Sequence, residues 1–242
     1  MSSHATASLS PNVSPTPPTM IREAIRTTVR AVGVVCLTVV EVTALSVWLG
    51  LVVDAEAVSV SALVGVVGLT AGMLVEALLA HVTVNGWSRA IPARALAGLA
   101  LAETALWVGW FGTAEVTDGL VGVVGAGLAF AVALVARHTV ADNVVRGRNA
   151  LATLVQRTTI GLAVLQAAGA TAWFLVVTGA VAVPEWFVSV PVAGFSANAV
   201  VGAVLLAAAV FVRHLLAVRH ALRRPPRASQ SSWRSSRSTL RK

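Results

Sequence analysis

Six runs of apolar residues divide the chain, near 31–53, 59–81, 93–113, 119–138, 159–181 and 195–217, with short connections between them that carry most of the charge, the last remaining apolar. Each run matches the ~20 residues that an α-helix needs to cross the ~30 Å hydrocarbon core of a bilayer. Within lipid each run has to be helical, because the medium offers no partner to a free backbone N–H or C=O. Val and Gly are abundant in these runs and are poor helix formers in water, but that preference is overridden where an unmet backbone group costs several kcal/mol. Ile91-Pro92 precedes the third run, a place where proline sacrifices no helical hydrogen bond. The pattern predicts an all-α membrane protein whose six transmembrane helices occupy residues 21–220.

Two features of the pattern recur. Leu63-Val64-Gly65-Val66-Val67-Gly68 is followed at His81 by the end of its run, and Leu120-Val121-Gly122-Val123-Val124-Gly125 by His138, a constant offset of 57 positions. In the odd-numbered runs Glu41 precedes Trp48 by seven residues, Glu103 precedes Trp110, and Gln166 precedes Trp173, in steps of 62 and 63. Together they predict three parallel two-helix hairpins related by an axis along the membrane normal. Gly65, Gly68, Gly72, Gly122 and Gly125 are expected at helix contacts, since small residues let membrane helices approach closely.

Charge adds direction. Arg22, Arg26, Arg30, Arg89, Arg94, Arg137, Arg146, Arg148 and Arg157 belong to the N-terminus or to the second and fourth connections, and the other basic residues begin at Arg213. The remaining connections carry Asp54 and Glu56, Glu115 and Asp118, and Glu185. Basic residues collect on the cytoplasmic side of spans, so both termini are expected in the cytoplasm and the protein in the cell membrane.

Composition agrees with that class. The chain has 242 residues, 57% hydrophobic and only 12% charged, against ~25% charged in a soluble domain. The net charge of +8 would point to nucleic acid in a soluble protein. Here it marks membrane orientation, and no nucleic-acid partner is expected. Residues 1–20, rich in Ser, Thr and Pro, read as a disordered tail. Residues 221–242 read as a basic disordered cytoplasmic tail resting on anionic lipid headgroups. Arg used almost to the exclusion of Lys suggests a prokaryotic, GC-rich origin. Cys36 is the single cysteine, so no internal disulfide and no thiol-metal site can form.

The candidate chemistry lies in the polar residues inside the runs. A carboxylate facing lipid at mid-span costs about 2.5–3.5 kcal/mol or more, so Glu41 and Glu103 are expected to turn inward at one depth with Gln166. There they act either as interhelical hydrogen-bonding glue or as a proton- or cation-coupling group. Glu76, nearer the inner edge, is expected to pair with a basic residue such as Arg30 or Arg137. Trp48, Trp110 and Trp173 read as an outer aromatic belt. His81, His138 and His214 read as anchors at the inner interface. A haem held between two imidazoles at equal depth is the weaker alternative, and no metal site is expected, because His138 with Asp142 lacks the third ligand a zinc site needs.

No nucleophile elbow, Walker loop, His-Glu-x-x-His or dinucleotide fingerprint occurs, so the chain is not read as an enzyme and no cofactor is expected. Three classes stay open. The leading one is a small proton- or cation-linked transporter or channel, as a homo-oligomer or with a membrane partner. The second is a non-catalytic membrane component serving a partner protein, and the third a haem or redox membrane protein.

Overall fold

The structure is a computed structural model that describes residues 17–52, 55–56, 58–184 and 196–223. The proline-rich tail up to residue 16, the basic tail beyond Arg223, and Glu185 with Trp186 and Phe187 of the third outer loop lie outside the described residues. The described chain is helical: α1 (Pro17–Val52), α2 (Val60–Asn85), α3 (Ala93–Val116), α4 (Gly119–Val145), α5 (Arg157–Val177) and α6 (Ala197–Arg223), with no strand among these residues. All six are long and apolar enough to cross a membrane.

The helices pack as a ring in chain order, closed by α1 against α6, with α2 also touching α4 and α6 across the middle. Neighbours run antiparallel, as short connections require. Gly33 approaches Thr83 and Gly72 approaches Ala44 so closely that a Cβ at either glycine would collide. Gly127 meets Thr171 and Gly169 meets Ala209 in the same way. The small-residue packing predicted for membrane helices holds for Gly65 and Gly72, which lie against α1. It does not hold for Gly68 and Gly125, which have no neighbour within reach, while Gly122 meets only Thr117, the residue that ends α3.

Burial differs from that of a water-soluble bundle in its apolar outside and in the charges set within an otherwise apolar core. Val29, Val39, Val67, Leu101, Leu128 and Val132 are exposed on the outside, whereas Glu41, Glu103, Arg137 and Arg213 are buried within. Such an outer surface suits a lipid bilayer, where apolar faces need no protein cover. Hydroxyls on the helices close locally: Thr38 donates to the Val34 carbonyl (3.0 Å), Thr70 to Val66 (2.8 Å) and Thr113 to Gly109 (2.7 Å).

The element ends differ from the apolar runs in one systematic way. α2 continues to Asn85 and α4 to Val145, beyond His81 and His138 where the runs end, and α6 continues to Arg223. A polar residue ends an apolar run but does not end a helix when its side chain finds partners inside the bundle. Pro17–Met20, assigned to the tail on composition, are the first turn of α1, where proline's missing N–H leaves no bond unmade.

Candidate functional site

Every helix contributes at least one polar side chain to a single buried centre. α1 brings Glu41, α2 Glu76, α3 Glu103, α4 Arg137 and His138, α5 Gln166, and α6 Arg213 and His214, none more than 8% exposed. Glu41, Glu103 and Gln166 meet directly. The Gln166 amide donates to Glu41 Oε1 at 3.1 Å and to Glu103 Oε1 at 3.3 Å. This is the arrangement that lipid demands of mid-span polar groups.

The two arginines divide the carboxylates between them. Arg137 forms a close ion pair with Glu103, and Arg213 forms one with Glu41. Glu76 lies between them at longer range, 3.4 Å from Arg137 Nη2 and 3.6 Å from Arg213 Nη2. His214 Nε2 donates to Glu41 Oε2 at 2.9 Å, and its Nδ1 stands 3.8 Å from Glu76 Oε1. His138 contacts the neighbouring guanidinium, Nδ1 to Arg137 Nη1 at 3.4 Å. Among the described residues three carboxylates face two guanidiniums, so with neutral histidines the centre carries one uncompensated negative charge. Burying such a charge is costly until a proton or a cation neutralises it.

A cavity of about 100 Å³ leads into the centre, with Glu76, Arg137, His138, Arg213 and His214 at its inner wall and Asp142 and His220 near the helix ends. It has room for several waters by volume. Glu76 lines it, whereas Glu41 and Glu103 do not. Among the described residues, Arg137 Nε and Arg213 Nε have no hydrogen-bond partner, so the polar lining is only partly satisfied by protein. At the cavity mouth Arg146 Nε bonds Asp142 Oδ1 at 2.7 Å.

On the other side of the centre stands an aromatic layer. Trp107 packs on Phe130 (5.1 Å between ring centroids), Trp48 on Phe111 (5.3 Å) and Trp110 on Phe130 (5.4 Å). Phe174 closes on Trp110 and Phe111. The outer aromatic belt is therefore corrected: Trp48 and Trp110 are buried in the bundle core and Trp173 is half-buried beside them. The seven-residue step from Glu41 and Glu103 is nearly two helical turns, and it puts each of these indoles on the same inward face as its acid.

The inner-interface reading is corrected for two of the three histidines. His138 and His214 are members of the buried centre, and His81 is buried apart from it, with Nδ1 3.4 Å from Asn85 Nδ2. A haem between opposing imidazoles gains nothing here, since His214 is engaged with Glu41 and the cavity is well below the ~300 Å³ of small-molecule pockets. Glu41, Glu76 and His214 offer ligand atoms within 4.8 Å of one another, as a metal would need. Arg213 is already seated on both carboxylates, so a guanidinium takes the place of the cation.

Arg137 and Arg213 are the members of this centre that the charge tally misplaces, because it counts them with the arginines outside the spans. Arg30, the other partner considered for Glu76, lies off the centre. The available signal was the three acids themselves, which need cations at their own depth. Compared with protein-family models, characterised proteins and solved structures, the chain matches none of them.

Proposed function

We propose that the chain is a small proton-linked transporter or channel of the cell membrane, and that Glu76 is the group that takes up and releases the proton. The observation that carries this is the odd carboxylate. Glu103 and Glu41 each have their own arginine, and Glu76 remains as the third acid, shared at longer range and lining the cavity. A proton on Glu76 neutralises the centre, and its loss restores the negative charge, so occupancy by one proton is coupled to the electrostatics of all six helices.

Direction follows from the arginines. Arg26, Arg30, Arg89, Arg94, Arg148 and Arg157 lie toward one end of the bundle, as the positive-inside pattern requires of a cytoplasmic face. The cavity opens toward that end and the aromatic layer closes the other, which corresponds to an inward-facing state. The internal repeat belongs to the same proposal. Glu41, Glu103 and Gln166 occupy equivalent places in three hairpins, and α4 and α6 bring the same Arg-His pair, whereas α2 brings Ala80-His81 and an acid at Glu76 where α4 has Ala133. The odd charge thus arises where the repeat is broken.

The test is proton flux into vesicles holding the full chain, read with an enclosed pH dye under an imposed potential. Flux above empty vesicles is expected, with a loss of about tenfold or more in Glu76→Gln. No flux from correctly folded wild type would favour the second class, a bundle serving a partner protein.

A further inference from the structure

A second constructed place lies on the outside of the ring, between α3 and α4. Small residues, among them Gly98 and Ala102 on α3 and Ala133 and Ala136 on α4, leave a groove of about 460 Å³ floored by Leu99 and reaching Arg137. At its Ala95 end the groove runs into a polar pocket of about 230 Å³, the two sharing Ala95, Val144 and Ala150. His81, Arg89 and Arg148 line that pocket.

The pocket's donors are set in advance. Asn85 is fixed by donating to the Val145 carbonyl (2.9 Å) and accepting from Arg89 Nη1 (2.7 Å). Its amide nitrogen therefore also faces His81 Nδ1, at 3.4 Å. With Nδ1 accepting, the neutral imidazole carries its proton on Nε2. The His81 side chain is only 2% exposed and forms part of the pocket's lining. Arg89 is laid against Gly147, where its guanidinium takes the space a Cβ would need. An imidazole beside two guanidiniums, Arg89 and Arg148, is chemistry that fits an anionic oxygen.

The apolar part has matching dimensions. From Ala95 to Leu106 the groove follows α3 for about 16 Å, close to half the ~30 Å hydrocarbon core and hence one leaflet. We propose that this groove and pocket bind one anionic membrane phospholipid, with an acyl chain between α3 and α4 and the headgroup phosphate on His81, Arg89 and Arg148. The assignment is independent of the proton reading, since no titrating group of the centre is used. Arg137 is the one residue that both this groove and the central cavity share, so a chain in the groove lies against the same arginine that balances Glu103.

The experiment is native mass spectrometry of the full-length protein in detergent, titrated with phosphatidylglycerol or with phosphatidylcholine, and separately with inorganic phosphate. Retention of one phosphatidylglycerol at about tenfold lower concentration than phosphatidylcholine is expected. Arg89→Gln and Arg148→Gln should each reduce that preference several-fold, and Ala102→Trp should reduce retention by filling the groove. Arg157→Gln, a charge change at the same end outside the pocket, should leave it unchanged. Arg89 and Arg157 are both exposed, so neither variant threatens the fold. Equal retention of the two lipids, an equal effect of Arg157→Gln, or displacement by inorganic phosphate would each overturn the proposal, the last by making the pocket a soluble-anion site.

Discussion

The polar centre and the aromatic layer are stacked in one ring of helices but are held together by different physics. In the aromatic layer Trp107, Trp110 and Phe130 contribute shape, and each ring is replaceable in principle by another of equal volume. In the centre, Glu103, Arg137, Glu41 and Arg213 contribute charge, and each is tolerable only because the other is present. One region therefore responds to the size of a substitution and the other to its charge balance. A helical bundle that needed only stability would have used the first device throughout.

The largest effect should come from removing one charge of a close pair. Arg137→Met leaves Glu103 buried without its cation, and a broken buried pair costs about 3–5 kcal/mol. Adding Glu103→Leu should recover most of that loss, because the pair as a whole contributes little net energy. Unfolding in mixed micelles, followed by circular dichroism, gives the comparison. If the double variant were no more stable than Arg137→Met alone, the two residues would not form a compensated pair.

Trp107→Ala tests the other region and should cost about 3 kcal/mol in the same assay, as large-to-small core changes do. No second substitution in the polar centre should restore it. Rescue by a charge change there would erase the distinction between the layers. Gly169→Val is smaller, about 1–3 kcal/mol from overpacking, because Ala209 occupies the space that the new side chain needs. Full stability in this variant would show that α5 and α6 are free to separate.

Gln166→Leu should have the smallest effect on stability, about 1 kcal/mol, since two interhelical hydrogen bonds are lost and such bonds in membranes average ~0.6 kcal/mol each. A cost above about 3 kcal/mol would mean that Gln166 carries structural load comparable to an ion pair.

Much of the architecture is legible in the apolar pattern, because the bilayer permits few alternatives. Six runs of sufficient length become six helices of sufficient length. The meeting of Glu41, Glu103 and Gln166 is legible in their equal spacing and in the cost of facing lipid. What misleads is the convention of ending a span at its first polar residue. It places His138 at an interface, and a charge tally by side counts Arg137 and Arg213 with the arginines outside, when α4 and α6 carry them inside the bundle. The tryptophans mislead for a related reason. An indole near a span's end suits an interface, but whether it turns outward depends on the helices beside it, and here Phe111, Phe130 and Phe174 from α3, α4 and α5 draw Trp48 and Trp110 inward. The groove between α3 and α4 is a property of pairing, not of either helix, and leaves no mark in the sequence beyond its small residues.

The central claim is that one carboxyl of the buried centre exceeds the available arginines and that this carboxyl is Glu76. Infrared spectroscopy of the reconstituted protein, with and without exchange into deuterated water, counts protonated carboxyl groups directly by their carbonyl stretch. One exchangeable band per chain is expected, lost in Glu76→Gln and kept when Glu56, outside the bundle, is changed to Gln. Absence of any such band, or a band that survives Glu76→Gln, would contradict the assignment.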